Sequence, residues 1–426
     1  MRPTQRTIGL LAMLILAGCA PLLEPTSSPL PADPTPAVSP VTSTPDLGST
    51  ADSGPLRLWL PPFLDPESGT PAGDLLKARL AAIAEQHPEL TIDVRVKADS
   101  GPAGLLETLR VATAAAPSTL PDVIALNPAG LHTAALKGLI VPLTDVLAAP
   151  TEDDWYPMAV EAAHIDGALY GYPFASNSLI FSYRASAYET RPLSWSALVE
   201  SDRSFLFPAA DPQAVFTLAM YQSLGGSLSG PSGRPALDPA PLADVLDFYA
   251  SARVAGVLPT SVSSFTNADE TWRTLVAGRA DSATAMLSDY LGIPRAPFLA
   301  AAPLPTRLGE GVALTSTWSW GLVATNPARQ AAAAELVRWL ADPAFLGPWT
   351  QALGMMPPTP AALQAWQSGQ DATVVAILSA ASQPRPTEEI LAIFGPPLHQ
   401  AVQAVLTAGA SAEAAAFEAA QSLSTQ

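Results

Sequence analysis

The chain reads as a mixed α/β protein of two lobes joined by crossing strands, and three observations carry that reading. Its 426 residues are enough for two units of roughly 100 to 200 residues each. Between residues 56 and 126 strand and helix patterns alternate, the order that builds a parallel sheet covered by helices. The stretch 155–184, WYPMAVEAAHIDGALYGYPFASNSLIFSYR, has turn chemistry at its centre and an apolar, β-branched and aromatic run at its end. Those are features of a strand that passes from one lobe to the other. The same stretch also fits an ordinary β-hairpin within one domain.

Composition excludes several functions. Apolar content of 48% with 14% charged residues argues against disorder over most of the chain. The formal net charge is -17, and residues 1–18 carry Arg2 and Arg6 but no acid. No basic face is present to displace counterions from phosphates, so nucleic acid and anionic membrane surfaces are poor partners. Cys19 is the only cysteine, which rules out an internal disulfide and a thiolate metal site. His87, His132, His164 and His399 have no HxxxH or HExxH spacing, so no metal site is expected and each histidine reads as a surface or loop residue. GxxxxGK[ST], GxGxxG and GxSxG are absent; Ser227 in Gly225-Gly226-Ser227-Leu228-Ser229-Gly230 lacks the final glycine in register. The chain is therefore expected to hold no cofactor and to have no catalytic residues. Paired carboxylates need not be close in sequence, so an anchored glycoside hydrolase stays as the remote enzyme alternative.

Residues 1–18 have a positive start and the apolar run from Ile8 to Ala17. That run is too short for a span but fits a secretory signal. Leu16-Ala17-Gly18-Cys19 resembles the lipobox of bacterial lipoproteins, which implies cleavage before Cys19, acylation of that cysteine and attachment to the cell membrane on its outer side. Residues 19–54 are rich in Pro, Ser, Thr and Asp and cannot bury enough apolar area to fold, which predicts an extended tether.

The folded part starts with the alternating strand Leu56-Arg57-Leu58-Trp59-Leu60, stopped by Pro61-Pro62. A helix is expected over 74–87 with Asp74 as N-cap, then a strand over 91–96, a helix over 104–115 and a strand over 123–126. Ligands sit at the carboxyl ends of such strands, which places Pro61, Pro62, Phe63, Asn127 and Pro128 on one rim. Within the crossing stretch, Phe174, Ala175, Ser176, Asn177 and Ser178 offer an aromatic face and small hydrogen-bonding groups to a cleft. Helical periodicity continues over 213–224, 242–255 and 269–278, where Trp272 faces the interior. A strand over 283–287 ends in Ser288-Asp289-Tyr290. Another over 315–324 sets Trp318 and Trp320 on one face beside Thr317 and Ser319, a platform for the CH face of a sugar ring. Helices over 330–340, 388–406 and 411–424 complete the chain.

This order resembles a family 1 extracellular solute-binding protein, the sugar-type substrate-capturing component of ABC importers. LETLRVATAAAPSTLPDVIALNPAGLHTAALKGLIVPLTDVL is similar to the family's helix, Pro-Asp-Val strand, pocket loop and Gly-Leu helix end. DGALYGYPFASNSLIFSYR resembles its crossover, with the usual lysine and asparagine replaced. Ser194-Trp195, Ala277-Gly278-Arg279-Ala280, Trp318-Ser319-Trp320-Gly321-Leu322 and Gly354-Met355-Met356-Pro357 continue the likeness over residues 55–426. The resemblance implies a type II periplasmic-binding-protein fold with a ligand cleft between lobes formed by residues 55–176 plus 321–365 and 177–320 plus 366–426. It implies a monomeric binder that delivers a small solute, a sugar or oligosaccharide, to permease subunits. The implied ligand contacts are Phe63, Asn127, Phe174, Asn177, Asp289, Tyr290, Trp318 and Trp320. Where maltose-type members place an acid and an arginine, this chain has Ala129 and Gly130, and Phe394-Gly395-Pro396 stands where they carry a tryptophan. Those departures speak against maltodextrin and leave a polyol, glycerol phosphate, another oligosaccharide or a polyamine open, as well as a sensor on the same fold.

Overall fold

The computed structural model describes residues 54–424 apart from residues 89, 294–297 and 368. Cys19, the signal segment and the tether lie outside the described residues. Three parallel strands open the fold, β1 (Leu56–Leu60), β2 (Ile92–Val96) and β3 (Val123–Leu126). Helix α1 (Pro71–Gln86) joins the first two, α2 (Leu105–Ala115) the next two, and α3 (Pro128–Leu136) follows β3. Leu58 pairs with Val94 on one side and Val123 on the other. α1 starts three residues earlier than its apolar period predicts. Thr70, not Asp74, is the N-cap, its hydroxyl accepting from Gly73 N at 3.1 Å. Pro71 needs no N–H donor at the first helical position, and Asp74 sits in the first turn, where the helix dipole favours a negative charge.

Next come α4 (Pro157–Ala163) and a small hairpin, β4 (His164–Ile165) with β5 (Ala168–Leu169). Its turn residues Asp166 and Gly167 have φ of 50° and 79°, the left-handed pair a tight hairpin requires. The long strand β6 (Tyr172–Arg184) then leads into α5 (Trp195–Glu200), β7 (Phe205–Leu206), α6 (Val215–Ser223) and α7 (Pro239–Val254). These are followed by α8 (Ala268–Val276), β8 (Ser282–Met286), α9 (Leu287–Gly292) and β9 (Leu299–Ala302). The chain returns on β10 (Ala313–Leu322) into α10 (Pro327–Leu340), α11 (Pro343–Leu353), α12 (Pro360–Gln364) and α13 (Gly369–Ala380). It closes with β11 (Ser382–Pro384), α14 (Glu388–Ala408) and α15 (Ala412–Ser424).

The strand order β2-β1-β3-β10-β6-β8-β7, with β11 beside β10 and β9 beside β6, makes β6 and β10 the antiparallel pair at the centre. Their ends reach two separate cores. Leu58, Leu76, Val123, Trp320, Leu336 and Trp349 pack in the first lobe. Phe181, Phe205, Phe216, Leu246, Leu398 and Val402 pack in the second. A third cluster, with Met158, Ile180, Trp272, Leu287, Met356 and Trp366, lies against the centre of the sheet, and Trp272 is buried in it as its helix stripe predicts. Met355 joins the first core and Met356 the third, so the segment after α11 stitches one to the other. Glycine is required at Gly395 inside α14: a Cβ there would stand 2.8 Å from Gln213 Cα.

Where the described chain begins, Arg329 of α10 grips it. Its guanidinium forms a two-pronged pair with Asp122, Nε to Oδ1 at 2.7 Å and Nη2 to Oδ2 at 2.5 Å, and also donates to the carbonyls of Gly54 and Pro55. Asp122 is buried and accepts from Arg57 N as well, so its lone pairs are used rather than left orphaned.

Candidate ligand-binding cleft

Side chains alternate along a strand, so even-numbered residues of β10 share a face. From one end of that face to the other, Leu314 belongs to the second lobe's core and Trp320 to the first's, while Ser316 and Trp318 between them are partly exposed. On the neighbouring strand Asn177 lies opposite Ser316 and Ala175 opposite Trp318. The register slips at Trp318/Ser319, a bulge that leaves Phe174 without an opposite number. The result is a floor of one amide, one hydroxyl and one indole between two apolar cores. The other face of the same strands is closed and polar: Ser176 meets Thr317 at 2.9 Å, Ser178 meets Thr315 at 2.7 Å, and Thr315 donates to Ser382 at 2.9 Å. All but Ser382 of these hydroxyl residues are buried, so each needs the other.

Two hollows flank the floor. The first, about 330 Å³, is lined by Asp99, Arg110, Asn127, Gly130 and Trp318 together with Glu388 and Glu389 from the start of α14. The second, about 610 Å³, is lined by Asp211, Gln213, Asn267, Ser316 and Arg385 beside Leu179 and Met286. A triangle of hydrogen bonds joins them. Arg385 donates to Glu388 at 2.7 Å and to Gln213 at 2.9 Å, and Gln213 donates to Glu388 at 2.7 Å. This neutralises the arginine within the wall. Burial pushes the Asp99 carboxyl above its ordinary range. Among the described residues no group of three or more His, Cys, Asp or Glu side chains is placed to hold a metal ion.

Of the residues at the strand ends, Phe63 and Asn127 each lie beside Trp318. Phe63 follows β1 and sets its ring edge-on to Trp318, with centroids 4.9 Å apart and planes at 71°. It is 39% exposed. Asn127 caps α3, its Oδ1 accepting from Gly130 N at 2.7 Å, while Nδ2 makes no hydrogen bond among the described residues. Asn177 on the cleft floor is also bound within the protein. Its Oδ1 accepts from Ser288 N and Ser178 N and its Nδ2 donates to Ser288 Oγ at 2.8 Å. That ties the crossing strand to the turn after β8.

Two of the expected aromatics are corrected by the fold. Phe174 and Trp320 are completely buried and stack on each other at 4.3 Å, with Trp349 beyond. Apolar rings with no route to solvent build the core and do not meet a solute. Asp289 and Tyr290 stand in α9 and line neither hollow. The Asp289 carboxyl is pushed up by burial, with a bond from the Met286 backbone acting against it, and Tyr290 packs against the third core. Sequence reasoning passed over Asp99, Gln213, Ser316, Arg385, Glu388 and Glu389. Glu388 and Glu389 look like ordinary first-turn acids of a helix, and Arg385 gives no signal without its distant partners.

A two-lobed α/β fold with a partly polar, aromatic-floored cleft on its crossing strands defines a class of proteins that take up a solute between lobes. The chain belongs to the bacterial extracellular solute-binding protein family, whose model matches residues 78–375. Sequence comparison with curated proteins gives no match. Among solved structures it is similar to the cyclic alpha-maltosyl-1,6-maltose binding protein from Arthrobacter globiformis, with a TM-score of 0.70 at 19% identity over 87% of this chain and 99% of that one. It is also similar to the sugar-binding protein MalE from the phytopathogen Xanthomonas citri (TM-score 0.66, 19% identity, 87% and 97% covered). UgpB from Mycobacterium tuberculosis, solved in complex with glycerophosphocholine, has a TM-score of 0.65 at 18% identity, with 88% and 98% covered. At these identities the likeness is one of fold.

Proposed function

We propose that this chain is the solute-capturing component of an ABC importer, held outside the cytoplasm by a lipid on Cys19, and that it delivers a sugar or oligosaccharide to permease subunits. The observation that carries the sugar reading is the pair Phe63 and Trp318. Two rings stay solvent-accessible, Trp318 on the cleft floor beside Ser316 and the free Nδ2 of Asn127 and Phe63 on the rim against it, where buried rings would otherwise be expected. A flat ring covers the apolar face of a pyranose while neighbouring amide and hydroxyl groups bond its hydroxyls. Solved relatives in fold bind maltodextrins, acarbose or glycerophosphocholine, which supports solute capture and leaves the choice of solute to this cleft. The lobes are assigned to residues 55–176 plus 321–365 and 177–320 plus 366–426, acting as a monomer. Binding and closure suffice for this role: the solute stabilises the closed state by its differential affinity, and no covalent step is involved.

Thermal unfolding against sugars, polyols, glycerol phosphates and polyamines tests the reading. A solute at about 100 times its dissociation constant adds about 2.7 kcal/mol of stability. A rise with one sugar class, lost in Trp318→Ala, is the expected result. A rise confined to a phosphate ester or polyamine would overturn the sugar assignment, and turnover of a chromogenic glycoside would overturn the binding role.

A further inference from the structure

One contact crosses the cleft without belonging to its floor. His132 lies on α3, whose Leu131 and Ala134 pack with Ile124 in the first lobe. Glu389 lies in the first turn of α14, whose Leu391, Phe394 and Leu398 pack in the second lobe's core. His132 Nδ1 stands 4.0 Å from Glu389 Oε1. That nitrogen is buried and has no hydrogen-bond partner, the kind of orphaned polar atom that folded proteins rarely keep without a use. The separation is about 1 Å longer than an N–H···O hydrogen bond, so a small further approach of the lobes would complete the pair.

We propose that His132 and Glu389 form a proton-operated latch between the lobes, in which a protonated imidazole draws the cleft closed and a neutral one releases it. Glu389 is suited to remain the anion. Its own backbone amide at the helix start and the Thr387 hydroxyl hold its carboxyl below the ordinary range, with His132 adding to this. The other charges around the latch are accounted for. Glu388 is held by Arg385 and Gln213, and Glu107 by Arg110 on α2. Lys137 lies at the end of α3. Burial raises the Asp99 carboxyl. Histidine is the side chain that changes charge between about pH 5 and 8. A group favoured in its protonated form by closure adds stability to the closed state below its free pKa, and that stability is lost as pH rises. The closed fraction therefore increases on acidification. The inference rests on closure of the two lobes and not on which solute they hold.

The test needs no ligand. Spin labels on Val111→Cys of α2 and Val254→Cys of α7, both solvent-exposed positions, report the distance between lobes in the full chain carrying Cys19→Ser. Between about pH 8 and about pH 5.5 the short-distance population should rise by about threefold, the change produced by half a unit of differential protonation. The rise should vanish in both His132→Gln and Glu389→Gln and persist in Asp99→Asn, with circular dichroism showing each variant folded. An unchanged distance distribution in the parent, or a pH response that survives His132→Gln, would overturn the latch. A flat solute panel with an intact pH response would fail the sugar reading and leave the latch standing.

Discussion

The two faces of the β6–β10 crossing pair are built to opposite rules. One face runs from core to cleft to core, with Leu314 and Trp320 sealed at the ends and Ser316 and Trp318 open between them. The other is sealed throughout and is held by paired hydroxyls, Ser176 with Thr317 and Ser178 with Thr315. Hydrogen bonds between side chains have direction, whereas apolar packing does not. The back face therefore fixes the register of the two strands while the front face is free to be specialised for a solute.

Breaking the sealed end of the front face should have the largest effect. Trp320→Ala is expected to lose about 3 to 5 kcal/mol in a denaturant titration, because the fully buried ring stacks on Phe174 and packs beside Trp349. Trp320→Phe should recover most of that, since the indole N–H has no partner to lose. If Trp320→Ala unfolded at the parental midpoint, the core assignment would fail. At the open position the balance reverses. Trp318→Ala should leave the unliganded midpoint close to the parent's and remove the solute-induced gain of about 2.7 kcal/mol. Retention of that gain would dismiss Trp318 as the platform.

The back face gives a sharper, smaller contrast. Thr317→Val leaves the buried Ser176 hydroxyl only its weak bond to the Met158 sulfur at 3.5 Å and should cost about 1 to 3 kcal/mol. Ser176→Ala combined with Thr317→Val should be closer to neutral. A double mutant as costly as the sum of the singles would show that the hydroxyls act independently. The smallest effect belongs to Asp289. Its carboxyl is raised by burial, so the charged form is disfavoured by folding. The group contributes most below its unfolded pKa, and that contribution is lost as pH rises through the folded value. Asp289→Asn should slightly raise the unfolding midpoint near neutral pH and have no effect in strong acid. A gain that is independent of pH would trace to packing instead.

These contrasts mark what was legible in the residues. Strand and helix periods located β1 to β3, β6, β8 and β10 and the helices α1, α2, α6 to α8, α10, α14 and α15, but not α4, α9, β9 or the run α11 to α13. The strand-end rule pointed to Phe63 and Asn127, and strand parity to Trp318. Parity could not separate Trp318 from Trp320, because both point to the same face and only the depth of the neighbouring core divides them. Asn177 looked like a donor to a solute because its partner Ser288 lies 111 residues away. The Arg385, Gln213 and Glu388 triangle was invisible for the same reason, and so was the meeting of His132 with Glu389.

The grip of Arg329 on Gly54 and Pro55 has a mechanical consequence. Any pull transmitted along the preceding chain reaches the fold at the first residues of β1 and is shared at once with Asp122 and α10, at the end of the first lobe's sheet. Among the described residues the side chains of Arg329 and Asp122 make that grip, and no side chain of the central pair β6 and β10 takes part in it.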